Sequence, residues 1–250
     1  MTTALAPEHP IRRRLARIGI GVLVVIALIA VAFGVYVNMV MPGERAEALR
    51  VWDDRGVSIT STDHSVVLAP TGPANGTGLV FIPGAKVDPY AYMFKLSSIV
   101  EAGVTVVITK PTLNLAFFDT RPLSTFTADA PDVTEWFVGG HSLGGVKACM
   151  LADDPAVSGL ILFGSYCAND LGDTDLEVVS ISGSEDGLST PEKIGNAAAM
   201  LPSDTEFVEI DGANHASFGD YGVQSGDGEA TIDTDAVRDA ITAVLEPVLE

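Results

Sequence analysis

The sequence predicts an α/β domain, a mostly parallel central sheet with flanking helices, preceded by one N-terminal transmembrane helix. Three observations carry the prediction. Runs rich in Val, Ile, Leu and Phe, such as "LVFIP" (79–83), "VTVVIT" (104–109) and "VSGLILFGS" (157–165), are continuous rather than alternating. Strands read this way when both faces are buried in a parallel sheet. The runs alternate with helix-compatible segments from residue 79 to the C-terminus, the pattern of a layered α/β domain with right-handed crossovers. Finally, no charged residue occurs from Ile18 to Gly43, directly after the basic "IRRRLAR" (11–17).

The N-terminal part comes first. Residues 18–41 would form a helix of about 36 Å, against a hydrocarbon core of roughly 30 Å, enough to span with some tilt. Arginines 12, 13, 14 and 17 precede it, so the positive-inside rule puts residues 1–17 in the cytoplasm and everything after Met41 outside. A cleaved signal peptide is the rival reading. Ala30-Val31-Ala32 and Ala46-Glu47-Ala48 offer small-x-small sites. The apolar run continues past the first and is too long for the second, because a signal core has only about 7–15 residues. An uncleaved anchor is therefore expected, with residues 42–56 as a stalk and 57–250 as the domain. Residues 1–41 hold four arginines and Glu8, so the rest carries the whole net charge of −19 and three units more. Such acidity speaks against nucleic-acid binding and against adsorption to an anionic membrane surface.

Along the exported part, "VSI" (57–59) and "SVVLAP" (65–70) are short strand candidates, and "TGPANGTG" (71–78) is a turn-rich break. "LVFIP" is a strand. "DPYAYMFKLSSIVEAG" (88–103) has helical spacing and a Gly stop. "VTVVIT" and "EWFVGG" (135–140) are strands, "SLGGVKACMLADD" (142–154) a helix, and "VSGLILFGS" and "LEVVSISG" (176–183) strands. "PEKIGNAAAML" (191–201) is a helix with Pro191 in its first turn. "TEFVEIDG" (205–212) is the last strand and "TDAVRDAITAVLEPVL" (234–249) a closing helix. Segment 111–133 is undecided: "LNLAFF" suits a helix start, and "RPLSTFTADAPD" breaks it.

Ligands and catalytic groups of open α/β sheets gather at the carboxyl ends of strands. Ser142 stands there, in "GGHSLGG" (139–145), between a strand and a helix. Glycines at 140 and 144 permit the sharp, strained turn of a nucleophile elbow, and Gly145 lets the helix pack close. A serine hydroxyl needs a base, and the chain has four histidines. His9 lies before the apolar segment and His64 before the core strands. His141 is expected to point away from its neighbour on so sharp a turn. His215 follows the last strand, three residues after Gly212, and is the base of choice. The loop after the penultimate strand offers Glu185 and Asp186; Asp186, three residues after Gly183, is the expected partner of the imidazole.

"FIPGAKVDPYAY" (81–92), "GGHSLGG", "GSEDGL" (183–188) and "GANHASFGDYGVQSGDG" (212–228), in this order, resemble a compact α/β-hydrolase. The chain is similar to dienelactone hydrolases and to bacterial membrane-anchored α/β-hydrolase-family proteins. Dienelactone hydrolases use a cysteine nucleophile where this chain has Ser142, so their substrate does not transfer. The resemblance implies an oxyanion hole formed by the N–H of Leu143 and that of Ala85, with Lys86 as the second choice. It also implies no cap domain, since only about ten residues, "YCANDLGDTD", separate two strands where caps are inserted.

The reading that follows is an extracytoplasmic serine hydrolase acting on a small-molecule or lipid-like ester, thioester or amide, with Ser142, Asp186 and His215 as its triad. An exported acyltransferase with the same triad and a non-catalytic envelope binding protein are the alternatives. Lys86 would attract an anionic substrate group or stand as a solvated lysine. Tyr166 would line the site or belong to the core. The loop holding Asp220 and Asp227 lacks EF-hand spacing and is expected to hold His215. Neither a cofactor nor a metal is called for, as no cluster of His and Cys occurs. Cys149 and Cys167 are read as small buried hydrophobes, a bridge between them being open if the domain lies in an oxidising compartment.

Overall fold

A computed structural model describes residues 10–250. Residues 1–9, with His9 and half of the expected cytoplasmic segment, lie outside the described residues. The chain divides into two units, up to Met39 and from Val40 onward.

The first unit is one helix, α1 (Pro10–Asn38). It takes in the arginines at its start and stops at Asn38, three residues short of the expected end, where the Asn38 amide donates to the Gly34 carbonyl at 2.8 Å. Every side chain from 11 to 33 is exposed. The helix is long and apolar enough to cross a membrane.

The second unit begins with a difference from expectation. Residues 42–56 are no stalk, for they contain helix α2 (Arg45–Trp52). Val51 is buried in the domain core, and the Arg50 guanidinium reaches both carboxylate oxygens of Asp235, at 2.6 and 3.1 Å. That anchor lies 185 residues away in sequence, so local pattern does not reveal it.

The sheet follows. Strands β1 (Val57–Ser61) and β2 (Ser65–Pro70) pair antiparallel, and β2 pairs antiparallel with β4 (Thr105–Thr109). Strands β3 (Thr77–Ile82), β5 (Glu135–His141), β6 (Val157–Phe163), β7 (Glu177–Gly183) and β8 (Glu206–Ile210) continue in parallel. The order is β1-β2-β4-β3-β5-β6-β7-β8. All six residues of β3 are buried, as its continuous apolar run requires. Leu79 and Phe81 face one core, while Val80 and Ile82 face the other, the period-2 rule of a pleated strand. The first core is closed by α3 (Met93–Glu101) and α7 (Thr234–Leu249), through Leu96, Ile99, Ile241 and Leu245. The second is closed by α4 (Ser124–Thr127) and α5 (Leu143–Leu151), through Phe126 and Ala148.

The undecided segment resolves into 3₁₀ turns at Thr112–Asn114 and Ala116–Phe118 before α4. Leu113 and Asn114 take positive φ values of 58° and 55°, which no α-helix admits. Helix α6 (Pro191–Ala197) starts at the expected proline, with the Thr190 hydroxyl capping the Lys193 N–H.

Cys149 and Cys167 are not free hydrophobes; they form a disulfide. The bond ties α5 to the loop after β6. No helix occupies residues 164–176, so no cap is inserted there.

The chain leaves β3 for β4 on one side and returns to β5 on the other. The carboxyl ends of β3 and β5 thus flank a topological switch point, where α/β sheets place their ligand crevice.

Candidate active site

Strand β5 ends at His141, and Ser142 bridges it to α5 with φ 53° and ψ −124°. This is a strained conformation for a residue with a Cβ, worth on the order of 1–3 kcal/mol. Four hydrogen bonds hold it. The Ser142 N–H donates to the Phe163 carbonyl at 3.1 Å, and the Ser142 carbonyl accepts from the Ser165 hydroxyl at 2.7 Å. It also accepts from the N–H groups of Gly145 and Val146, at 3.0 and 3.2 Å. The turn works only without a side chain at 144: a Cβ there would lie 2.0 Å from the Ile82 carbonyl oxygen. The sequence required a glycine at this position, and β3 supplies the reason.

The loop after β3 lies beside this turn. The Gly84 N–H donates to the Tyr92 hydroxyl at 2.9 Å, and the Lys86 N–H donates to the Asn114 carbonyl at 2.7 Å. Lys86, the second choice for the oxyanion hole, thus spends its amide on the neighbouring loop. Ala85 stands between these two anchored amides. Leu143 opens α5, and first-turn N–H groups have no intrahelical acceptor.

Asp186 and His215 meet across two loops. The Asp186 Oδ2 lies 2.8 Å from His215 Nδ1, with both side chains buried. The other oxygen, Oδ1, accepts from the N–H groups of Leu188 and Ser189 at 2.8 and 2.7 Å, so the carboxylate is fixed from both ends. Glu185 is exposed and makes no such contact. His215 Nε2 is buried without a hydrogen-bond partner; a bond from the Ser142 hydroxyl to this ring is not formed. Hydrogen bonds of this kind often tighten only when substrate is bound.

What holds the histidine loop was only partly legible. The sequence singled out the loop with Asp220 and Asp227 as a support for His215, without a mechanism. Asp227 Oδ1 accepts from the N–H groups of His215, Gly187 and Gly228, at 3.0, 3.1 and 2.8 Å. Its Oδ2 accepts from the Ala216 N–H at 2.9 Å. One carboxylate therefore clasps the acid loop to the histidine loop. Asp220 anchors the far end: its Oδ1 lies 2.6 Å from Lys95 Nζ, both residues buried. Burial draws the Lys95 ammonium below its ordinary range, and the Asp220 charge opposes that.

His141, expected to point away from Ser142, packs its ring against that of His215 at a tilt of 46°, centroids 4.4 Å apart. Its Nδ1 lies 2.9 Å from the Tyr92 hydroxyl. Burial, with the neighbouring His215 second, pushes His141 well below the ordinary imidazole range. Burial also pushes the Tyr92 phenol upward, the Gly84 N–H opposing. A protonated tyrosine and a neutral histidine thus link the loop after β3 to the His215 ring. Phe218, fully buried, backs both the His141 ring and Phe163. No sequence signal marked Tyr92, because the partners that give it a role lie in the loop after β3 and at the end of β5.

Lys86 and Tyr166 are both half-buried, Lys86 with a positive φ of 58° and Tyr166 next to the disulfide. Neither is brought against Asp186 or His215 by a hydrogen bond.

A family model described as "Alpha/beta hydrolase family" matches residues 78–239. The chain belongs to that family. No curated protein matches its sequence. Among solved structures, it is similar to XC6422 from Xanthomonas campestris, described as a serine hydrolase without lid. That pair has 13% identity and a TM-score of 0.57, covering 78% of this chain and 96% of the other. Est1E from Butyrivibrio proteoclasticus matches with 14% identity and a TM-score of 0.54, over 78% and 100% of the two chains. At such identities the likeness establishes the fold.

Proposed function

We propose that the protein is a serine hydrolase that cleaves esters through an acyl-enzyme on Ser142. The observation that carries this is the strained Ser142 turn at the switch point, beside a buried His215–Asp186 pair. Strain of this kind persists only where the surroundings impose it, and it clusters at working sites.

In the proposed cycle His215 Nε2 takes the Ser142 proton as Oγ bonds to the ester carbonyl carbon. Asp186 holds the imidazole by Nδ1 and stabilises the cation that forms. The N–H groups of Leu143 and Ala85 receive the developing oxyanion, an effect worth about 3–4 kcal/mol per donor. The C–O bond to the alcohol then breaks, and the alcohol leaves with the proton from His215. Water adds by the reverse path, releasing the acid and free Ser142.

The domain is proposed to stand outside the cytoplasmic membrane, anchored by α1 with its arginines on the cytoplasmic side. The Cys149–Cys167 disulfide supports an oxidising compartment. Full-length protein assayed on p-nitrophenyl acetate tests the activity. Turnover is expected in the wild type and a loss of at least a thousandfold in Ser142→Ala and His215→Ala; equal turnover in all three would overturn the proposal.

A further inference from the structure

One surface outside the triad loops has no role in the chemistry above. A cleft of about 510 Å³ runs along α5, walled by Leu143, Val146 and Met150 on the helix and by Phe117 and Ala168 opposite. Residues 143, 146 and 150 form one helical stripe. The stripe starts at the residue after Ser142 and leads away from it for about 10 Å at the rise of an α-helix. The cleft includes large apolar side chains left in solvent: Phe117 is 71% and Met150 53% exposed. An apolar patch at such a place on a soluble face marks a binding surface. Its polar members lie at the edges of the stripe: Asp119 is committed to Arg121, whose Nε lies 2.8 Å away, the Asn169 amide donates to the Cys149 carbonyl at 3.1 Å, and Thr120 and Lys147 complete the lining. Both far walls are fixed covalently, for Met150 follows Cys149 and Ala168 follows Cys167, the two halves of the disulfide.

We infer that this cleft is the acyl site, and that it takes an unbranched aliphatic acyl chain of medium length, about eight carbons for a 10 Å wall. The assignment rests on the hydrolase reading, since the acyl chain is placed by its bond to Ser142 Oγ. In the acyl-enzyme the carbonyl sits at the N-terminus of α5. The chain then follows the stripe, covering the side chains that are otherwise wet. The disulfide keeps the two walls apart at a constant width.

The test uses the full-length protein in lipid nanodiscs with p-nitrophenyl esters from acetate to dodecanoate. Because each buried methylene favours binding roughly two- to fourfold, kcat/KM should climb by that factor per carbon and level off near eight. Met150→Ala, Phe117→Ala and Val146→Trp should each lower the octanoate-to-acetate ratio of kcat/KM about tenfold. The first two side chains are largely exposed, so those variants fold. A flat profile in an enzyme that turns over acetate overturns the assignment alone. Failure on every ester, acetate included, overturns the hydrolase reading and the assignment with it. Variants that shift the oligomeric state but keep the profile would make the cleft an interface between copies, which also overturns it.

Discussion

Replacing Asp227 separates the support of the site from its chemistry, because Asp227 touches no reacting atom. Asp227→Ala removes the acceptor of four N–H groups, those of Gly187, His215, Ala216 and Gly228. Bonds to a charged group contribute about 1.5–3 kcal/mol each when buried. Asp227 is half-buried, and water replaces much of that loss, so about 3 kcal/mol in total is expected. For a chain of this size that lowers Tm by about 6–12 °C. The kinetic effect should be larger than stability alone dictates. The clasp sets where the His215 ring sits relative to Ser142, and a misplacement of about 1 Å costs on the order of 100-fold. kcat on p-nitrophenyl acetate should therefore fall about 100-fold with KM little changed. Asp227→Asn keeps an oxygen for three of the amides but sets an NH₂ against the Ala216 N–H. It should fall between, with kcat down about tenfold. A folded Asp227→Ala with the wild-type kcat would refute the reasoning.

Three further outcomes follow from the structure. The folded state holds His141 below its ordinary pKa, so its stabilising contribution is complete above about pH 6.5 and is lost as pH falls, by about 1.4 kcal/mol per unit. Thermal melts should show the wild type losing more Tm than His141→Gln as pH falls from 6.5 to 5, and parallel curves would contradict this. The Cys149–Cys167 bond closes a sequence separation of 18; reducing it should cost about 3 kcal/mol, read as a Tm drop on adding a phosphine, and two titratable thiols before reduction would contradict it. Gly144→Ala drives a Cβ onto the Ile82 carbonyl oxygen and should destabilise by more than about 4 kcal/mol, seen as insoluble or unfolded protein, whereas a wild-type melt would show that the elbow has slack.

The sheet was legible because burial on both faces writes itself into a strand as an unbroken apolar run, as in β3. The turn at Ser142 was legible because it needs glycine at 144 on steric grounds, and the meeting of His215 with Asp186 because both follow strand ends of one sheet. Less was legible where the partner is distant. The α2 segment carries one buried side chain, Val51, and an ion pair to Asp235, so its sequence reads as a stalk. The disulfide was left open because spacing alone does not say whether two cysteines meet. What His141 touches was not legible from its place beside Ser142: its ring is set by Tyr92 and His215, from two distant segments. The left-handed residues Leu113 and Asn114 broke a helix that "LNLAFF" would otherwise favour.

The claim that Ser142 is an activated nucleophile is tested most directly by mapping a fluorophosphonate adduct on the full-length protein by mass spectrometry. The expected result is a single adduct on Ser142, absent from Ser142→Ala and formed about a thousandfold more slowly in His215→Ala. An adduct on another residue, or a folded wild-type protein that takes no label, would contradict it.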